Sequence, residues 1–557
     1  MLLAAAVIAV SAVGSALDWK VQPVTPVLSE AAPGQPGAGP GEPRITLEPS
    51  GAEIGPRSLL TVDGVYWMLS SMLRNFASMP ALPLIFVAML GIGLAERFGL
   101  FSALMRALAL RTPRRLLTPV IVFAGASSSV ASDAGYIVLP PLAAALFLAS
   151  GRHPVAGLAA AFAGVAGGFG AGMFPTGGDG VLAGFAQDAA RIIDPAYSVT
   201  ILHNLYFKIV SAIVVTLGGW YVTDRLIEPR LMRQFPGEAS PQQGQPQGAM
   251  QLDHQESRAL RAALLTMAAL LAGFVAMSAI PGMPLYGDGK QTLPNGRVLV
   301  QQVVSIMPAD HETAAPQHDI LARAPFLIVE GGTPGRLVET PGPRWSQAIV
   351  PMVFLLFLLP GLVFGRLTGR LRRQTDFTDA VHHGIRDIVP VLVILFFLAQ
   401  FTNYFTYSNL DRMLAYTGGQ ALFEAAMPAP LLLAIFVMVV ILSDFAMSGM
   451  LSKFGVLAPI AIPMFMMIGL SPELTTAAYR IGDSVVNVIT PLNSYALIIL
   501  AMFQKYRKSA GLGTLIALMV PYSLVLALLW TGMLLVWFFV GADLGPSSPL
   551  GLLPAAR

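Results

Sequence analysis

Apolar runs of bilayer length, interrupted at polar points, constrain this chain more than any other feature. Stretches such as 205–222, 264–280, 349–364, 388–405 and 515–540 are almost free of charge. A helix needs about 20 mostly apolar residues to cross a bilayer. Lipid offers nothing to an unpaired peptide group, so such runs fold as helices whose backbone satisfies itself. Composition agrees: of 557 residues 55% are hydrophobic and only 12% charged, against about 25% charged in ordinary soluble domains. The net charge of +3 does not point to nucleic acid, because the basic residues gather beside the ends of apolar runs, as Arg111, Arg114 and Arg115 do. That is the positive-inside pattern. With no cysteine, disulfides, thiolate metal sites and iron–sulfur clusters are excluded. The expectation is an all-α polytopic membrane protein.

Taken in order, residues 1–16 read as a short first span with a cytoplasmic N-terminus, since a signal peptide would carry a basic start. Residues 22–56, rich in Pro and Gly, read as an exposed loop. Residues 59–76 look amphipathic, as a helix lying on the membrane surface does. Beyond the span 82–95, the run 116–126, the polar tip 127–136 and the run 137–149 form two short arms. They read as a re-entrant hairpin with Ser132 and Asp133 at its tip, the alternative being one long kinked helix. The glycine-rich run 156–174 then stops at Pro175-Thr176-Gly177-Gly178-Asp179-Gly180, and 181–193 resumes. Its glycines partly match a dinucleotide-binding pattern, but without a preceding strand they read as close helix packing.

The same grammar returns near the other end. Residues 431–442, a tip at 443–454 and 455–467 form a second arm–tip–arm unit. The stretch 477–494 follows, with Arg480, Asp483, Asn487 and Pro491 at membrane depth. A charge at mid-bilayer costs at least about 2.5–3.5 kcal/mol, so such residues suggest function. Arg480 and Asp483, three apart, share a helix face and could equally be an ion pair that only pins two helices. Pro491 disfavours further helix. Two interrupted segments in corresponding halves point to an inverted-repeat transporter, with about nine transmembrane helices and two re-entrant hairpins.

The chain divides accordingly. Residues 1–115 are N-terminal scaffold, and 116–193 form the first half of a transport core. Residues 194–430 are scaffold spans with a cytoplasmic linker at 234–258 and an exported loop at 281–345 that contains strand-like runs. Residues 431–508 form the second core half, and 509–557 hold the last span, which places the C-terminus in the periplasm, and a tail that carries little. An intramembrane hydrolase is the competing class. His311-Glu312 opens a zincin-like motif, but Ala315 stands where a second histidine is needed, and no histidine follows His383 to pair with Ser448. A channel is a third class.

Four segments resemble the AbgT family of p-aminobenzoyl-glutamate transporters: 129–139 (SVASDAGYIVL), 151–168 (GRHPVAGLAAAFAGVAGG), 400–410 (QFTNYFTYSNL) and 477–492 (AAYRIGDSVVNVITPL). The likeness runs from residue 90 to 508. It implies a homodimer in a bacterial inner membrane. It also implies transport of p-aminobenzoyl-glutamate or related aromatic, folate-type anions, or efflux of sulfonamide antimetabolites, coupled to protons and without a cofactor. The family's site positions fall on Asp179, Pro472, Arg480, Asp483 and Pro491. Where the family has Ser-Ala-Lys-Trp at the second tip, this chain has Leu451-Ser452-Lys453-Phe454, which makes Ser452 and Phe454 further candidates. Where it has Ser-Ala-Asn before the first break, Gly170-Ala171-Gly172 stands here.

On this reading Arg480 grips a substrate carboxylate and holds Asp483 ionised, while half-helix N-termini take a second carboxylate. Asp179, with no base in its own break, carries the proton, unless it merely caps a half-helix beginning at Gly180. Coupling of sodium through Asn487 and Ser132, with another small carboxylate as solute, is the alternative.

Overall fold

The computed structural model describes residues 2–30, 43–49, 52–79, 81–110, 112–131, 134–194, 197–234, 253–287, 291–292, 298–299, 302–307, 336–341, 344–447, 449–493, 495–546 and 548–551. Ser132, Asp133, His311, Glu312 and Ser448, and the linker from 235 to 252, lie outside the described residues.

The membrane part is helical. Its first elements are α1 (Leu2–Ala16), α2 (Val62–Ala77), α3 (Ala81–Arg97) and α4 (Leu100–Leu110). Then come α5 (Leu117–Ser127), α6 (Ala134–Ala149), α7 (Pro154–Phe162), α8 (Gly177–Ala190) and α9 (Leu205–Tyr221). A wide turn at Val222–Ile227 carries α9 into α10 (Glu228–Gln234), and α11 (His254–Ala279) follows. The second half has α12 (Ile349–Leu367), α13 (Gln374–Tyr407), α14 (Leu410–Glu424), α15 (Ala429–Ser443) and α16 (Met450–Met467). It ends with α17 (Pro472–Val486), α18 (Ala496–Gln504) and α19 (Leu512–Val540). Among the described residues, five helices are long and apolar enough to cross a membrane: 205–234, 254–279, 349–367, 450–467 and 512–540. Shorter apolar helices such as α15 accompany them.

The stretch read as an exposed loop at 22–56 contains a two-stranded antiparallel ribbon, Val24–Glu30 with Pro43–Pro49. The loop after α11 holds two more ribbons, 291–292 with 298–299 and Gln302–Met307 with Arg336–Pro341. Strands of this kind pair because their backbone groups have no helix to satisfy them. The polar face of α2 turns inward, where Asn75 donates to Ser71 and to Gln400 of α13. Val62, Tyr66, Leu69 and Leu73 are exposed on it.

Each half of the core has the same order: arm, tip, arm, half-helix, break, half-helix. In the first, α5 leads through a 3-10 turn at Ser128–Ala131 to α6. Helix α7 then widens into a π turn at Ala163–Gly167, and the chain is open from 168 until α8 begins at Gly177. In the second, α15 and α16 flank a tip at 444–449, so Ser452, Lys453 and Phe454 belong to the first turns of α16 rather than to the tip. Helix α17 ends at Val486, and a break carrying Pro491 separates it from α18. Prolines stand inside α6, α12, α16 and α19, as membrane helices tolerate.

Glycine lets core elements approach closely, both within a half and between the halves. A Cβ on Gly164 would stand 2.5 Å from the Val122 carbonyl, and one on Gly170 would stand 2.6 Å from Ser484 Oγ. The tail also has a role that composition did not suggest. Phe207 N donates to Leu544 O, and Ser471 N donates to Leu550 O. Residues 544–551 thereby bridge the starts of α9 and α17. At the ends rich in arginine, Arg152 pairs with Asp224 (2.6 Å) and Glu228 (2.5 Å), and Glu256 is shared by Arg106 and Arg370.

Candidate functional site

Helix α17 carries the centre. Ser471 caps it by accepting from Leu474 N, and Pro472 takes the first helical position, where its missing donor costs nothing. From there every side chain through Val486 is buried. Arg480 and Asp483 project from neighbouring turns, and each meets an opposite charge from elsewhere in the core.

Arg480 does not pair with Asp483. Its Nη2 lies 2.7 Å from Oδ1 of Asp179, and its Nε donates to Asn204 Oδ1 at 3.0 Å. Asp179 has a second cation, Lys208 of α9, whose Nζ lies 2.5 Å from Oδ2. Lys208 also donates to the Phe174 carbonyl in the break. No base lies in the break itself, but Asp179 takes two cations from other elements, Lys208 of α9 and Arg480 of α17, which sequence distance hid. Asp179 is not in the break either. It is the third residue of α8, and its Oδ2 accepts from the Thr176 backbone and hydroxyl while Thr176 Oγ1 accepts from Asp179 N. This capping box begins the half-helix at Gly177 rather than Gly180. It also satisfies two backbone donors at that N-terminus, those of Thr176 and Asp179.

Asp483 belongs to a second cluster. Its Oδ1 is 2.9 Å from Lys453 Nζ, and the same ammonium pairs closely with Asp444 at the end of α15. Tyr479 donates to Asp483 Oδ1 at 3.3 Å and to the Met450 carbonyl at 2.6 Å. Phe454, fully buried, lies over the Tyr479 ring at 4.5 Å between centroids.

The formal charges sort the two clusters. Asp179, Lys208 and Arg480 sum to plus one; Asp444, Lys453 and Asp483 sum to minus one. Burial removes the water that would screen either excess. Some atoms keep capacity to spare: Arg480 Nη2 and Asp179 Oδ1 touch without an aligned hydrogen bond, and Oδ2 of both Asp444 and Asp483 is buried without a partner. Buried polar groups are normally satisfied, so these atoms mark where a further ligand or proton fits.

The other sequence candidates scatter. Pro472 and Pro491 lie beyond opposite ends of the charged face, since α17 is about 22 Å long. Asn487 closes α17, and its carbonyl accepts from Asn493. Ser452 faces away from the cluster and donates to Gly449 O. Lys208, Asn204 and Asp444 were missed. Lys208 had a visible signal, a lone lysine in the apolar run Leu205-Tyr206-Phe207-Lys208-Ile209-Val210.

Comparison with known proteins gives a consistent result. The model of the AbgT putative transporter family matches residues 1–308 and 333–552. The p-aminobenzoyl-glutamate transport protein of Escherichia coli K12 is 32% identical over 503 residues, covering 89% of this chain and 87% of that protein. Among solved structures, the YdaH transporter of Alcanivorax borkumensis superposes with a TM-score of 0.78 at 32% identity, covering 98% of both chains. MtrF of Neisseria gonorrhoeae, described with a class of antimetabolite efflux pumps, gives 0.75 at 33% identity, covering 98% of this chain and 96% of its own.

Proposed function

This chain belongs to the AbgT family and is a membrane transporter rather than an enzyme, and from that premise we propose that it moves p-aminobenzoyl-glutamate or a related aromatic, folate-type anion. The observation that carries the reading is the contact of Arg480 Nη2 with Asp179 Oδ1, buried and lacking an aligned hydrogen bond. A cluster with one surplus positive charge takes a carboxylate to reach neutrality. A planar guanidinium suits a carboxylate because it can grip it with two parallel bonds. Efflux of sulfonamide antimetabolites is the second reading, favoured by the likeness to MtrF.

The negative cluster supports proton coupling. Lys453 neutralises one of its two aspartates, and one proton shared by the orphaned oxygens of Asp444 and Asp483 neutralises the other. Asp179, already facing two cations, is the poorer carrier. Sodium remains the alternative ion. Homodimerisation, an inner-membrane location with a cytoplasmic N-terminus, and a periplasmic C-terminus complete the proposal.

The deciding experiment is calorimetry on purified protein with p-aminobenzoyl-glutamate and with a sulfonamide. Arg480→Lys keeps the charge but cannot reach Asn204 and present two parallel donors at once. A charge-assisted hydrogen bond is worth about 1.5–3 kcal/mol, so binding weakens by roughly tenfold or more. Equal affinity of the lysine variant overturns the assignment.

A further inference from the structure

The aromatic contacts of the core obey an exchange rule between its two halves. Phe454, near the start of the second arm α16, packs against Tyr479 in the first half-helix of its own half. It also packs against Phe185, in the second half-helix of the other half. Tyr136, near the start of the second arm α6, packs against Phe162 in the first half-helix of its own half. It also packs against Tyr495, at the cap of the second half-helix of the other half. Each hairpin thus places one ring across both broken helices, one contact within its half and one across.

The two triads are not in the same state. Tyr136 and Tyr495 stack with centroids 4.1 Å apart and planes 9° from parallel. The corresponding cross-half contact, Phe454 with Phe185, is 6.4 Å and tilted by 40°. Within the halves the order reverses: Tyr136 to Phe162 is 6.4 Å, whereas Phe454 to Tyr479 is 4.5 Å. Two halves built alike but packed unlike are what one snapshot of an alternating cycle contains, since the halves trade conformations when access changes sides.

We propose that Tyr136, Phe162 and Tyr495 form a gate of the transport path, the counterpart of Phe454, Tyr479 and Phe185, and that the two cross-half contacts open in turn. In this conformation the Tyr136–Tyr495 contact is shut and the Phe454–Phe185 contact is relaxed. The shut ring is anchored in the break itself: Tyr495 N donates to Asn493 Oδ1, and Asn493 Nδ2 donates to the carbonyl of Asn487, which ends the helix carrying Arg480 and Asp483. A ligand that shifts α17 therefore moves Tyr495 against Tyr136.

The proposal rests on the chain being a transporter, and its solute is read separately. Because the chain has no cysteine, Tyr136→Cys/Tyr495→Cys can be joined by a short bis-thiosulfonate reagent without background, the link being verified by peptide mass. In proteoliposomes the link is expected to stop solute counterflow at least tenfold, with recovery on reduction. Tyr495→Leu, at a partly exposed position, is expected to keep counterflow but lose accumulation at least tenfold, because the gate no longer seals. Linked protein exchanging at its reduced rate, or Tyr495→Leu accumulating solute like the parent, overturns the gate. If the parent binds no p-aminobenzoyl-glutamate, the substrate reading fails alone, and the gate is read with the sulfonamide arm.

Discussion

At the scale of single residues, the centre is a trade of partners. Arg480 and Asp483 are the pair that the sequence offers, three apart on one helix, yet Arg480 turns to Asp179 and Asp483 to Lys453. The reason is position: local spacing already holds Arg480 beside Asp483 on one helix, whereas a pair with a charge from another helix fastens elements that local spacing does not hold. Removing one partner of a buried pair costs about 3–5 kcal/mol, because the survivor keeps a buried charge. Asp179→Ala leaves Lys208 and Arg480 buried with no carboxylate between them, so it is expected to lower the thermal midpoint in detergent while Arg480→Lys, which keeps the charge, does so less. A fluorescence melt of both variants tests the order. Asp179, Arg480 and Asp483 were legible because charge at membrane depth is rare. Lys208 and Asp444, lone charges in or at the end of apolar runs, carried the same signal, but nothing in their local pattern says which charge each one meets. Only three-dimensional closure decides which aspartate meets which cation.

At the scale of elements, the repeated hairpin and broken helix were readable from alternation of apolar arms with polar tips. The boundaries were less so. The first break moved from 175–180 to 168–176, because Thr176 and Asp179 form a capping box that starts α8 early and the π turn ends α7 early. The glycines of 164–172, read as packing devices, are used as such. Gly164→Leu has no room against the Val122 carbonyl, and overpacking of this kind costs about 1–3 kcal/mol or more. Its expected signature is a poorly expressed or aggregated protein in size-exclusion chromatography. Gly273→Leu, where nothing lies within 4 Å, is expected to behave like the parent.

At the scale of the whole molecule, the transport core holds two adjacent clusters of opposite surplus charge on one helix. On the proposed reading, substrate anion and proton act on the same helix, so loading either biases the position of α17. Asp444→Asn makes the negative cluster neutral without a proton. Uptake by this variant is expected to lose its response to an imposed pH gradient while binding of p-aminobenzoyl-glutamate persists. Uptake that still follows the gradient, measured in proteoliposomes, moves the sodium alternative ahead. The sequence carried the architecture and the class of molecule, because both rest on long patterns and on distinctive motifs. It did not carry the charge balance, which is a property of assembled helices.

Residues 544–551 give the assembly a timetable. They hold the starts of α9 and α17 through Leu544 and Leu550, and they leave the ribosome after both of those helices. The starts of α9 and α17 are therefore both in place before the contacts that tie them together can form.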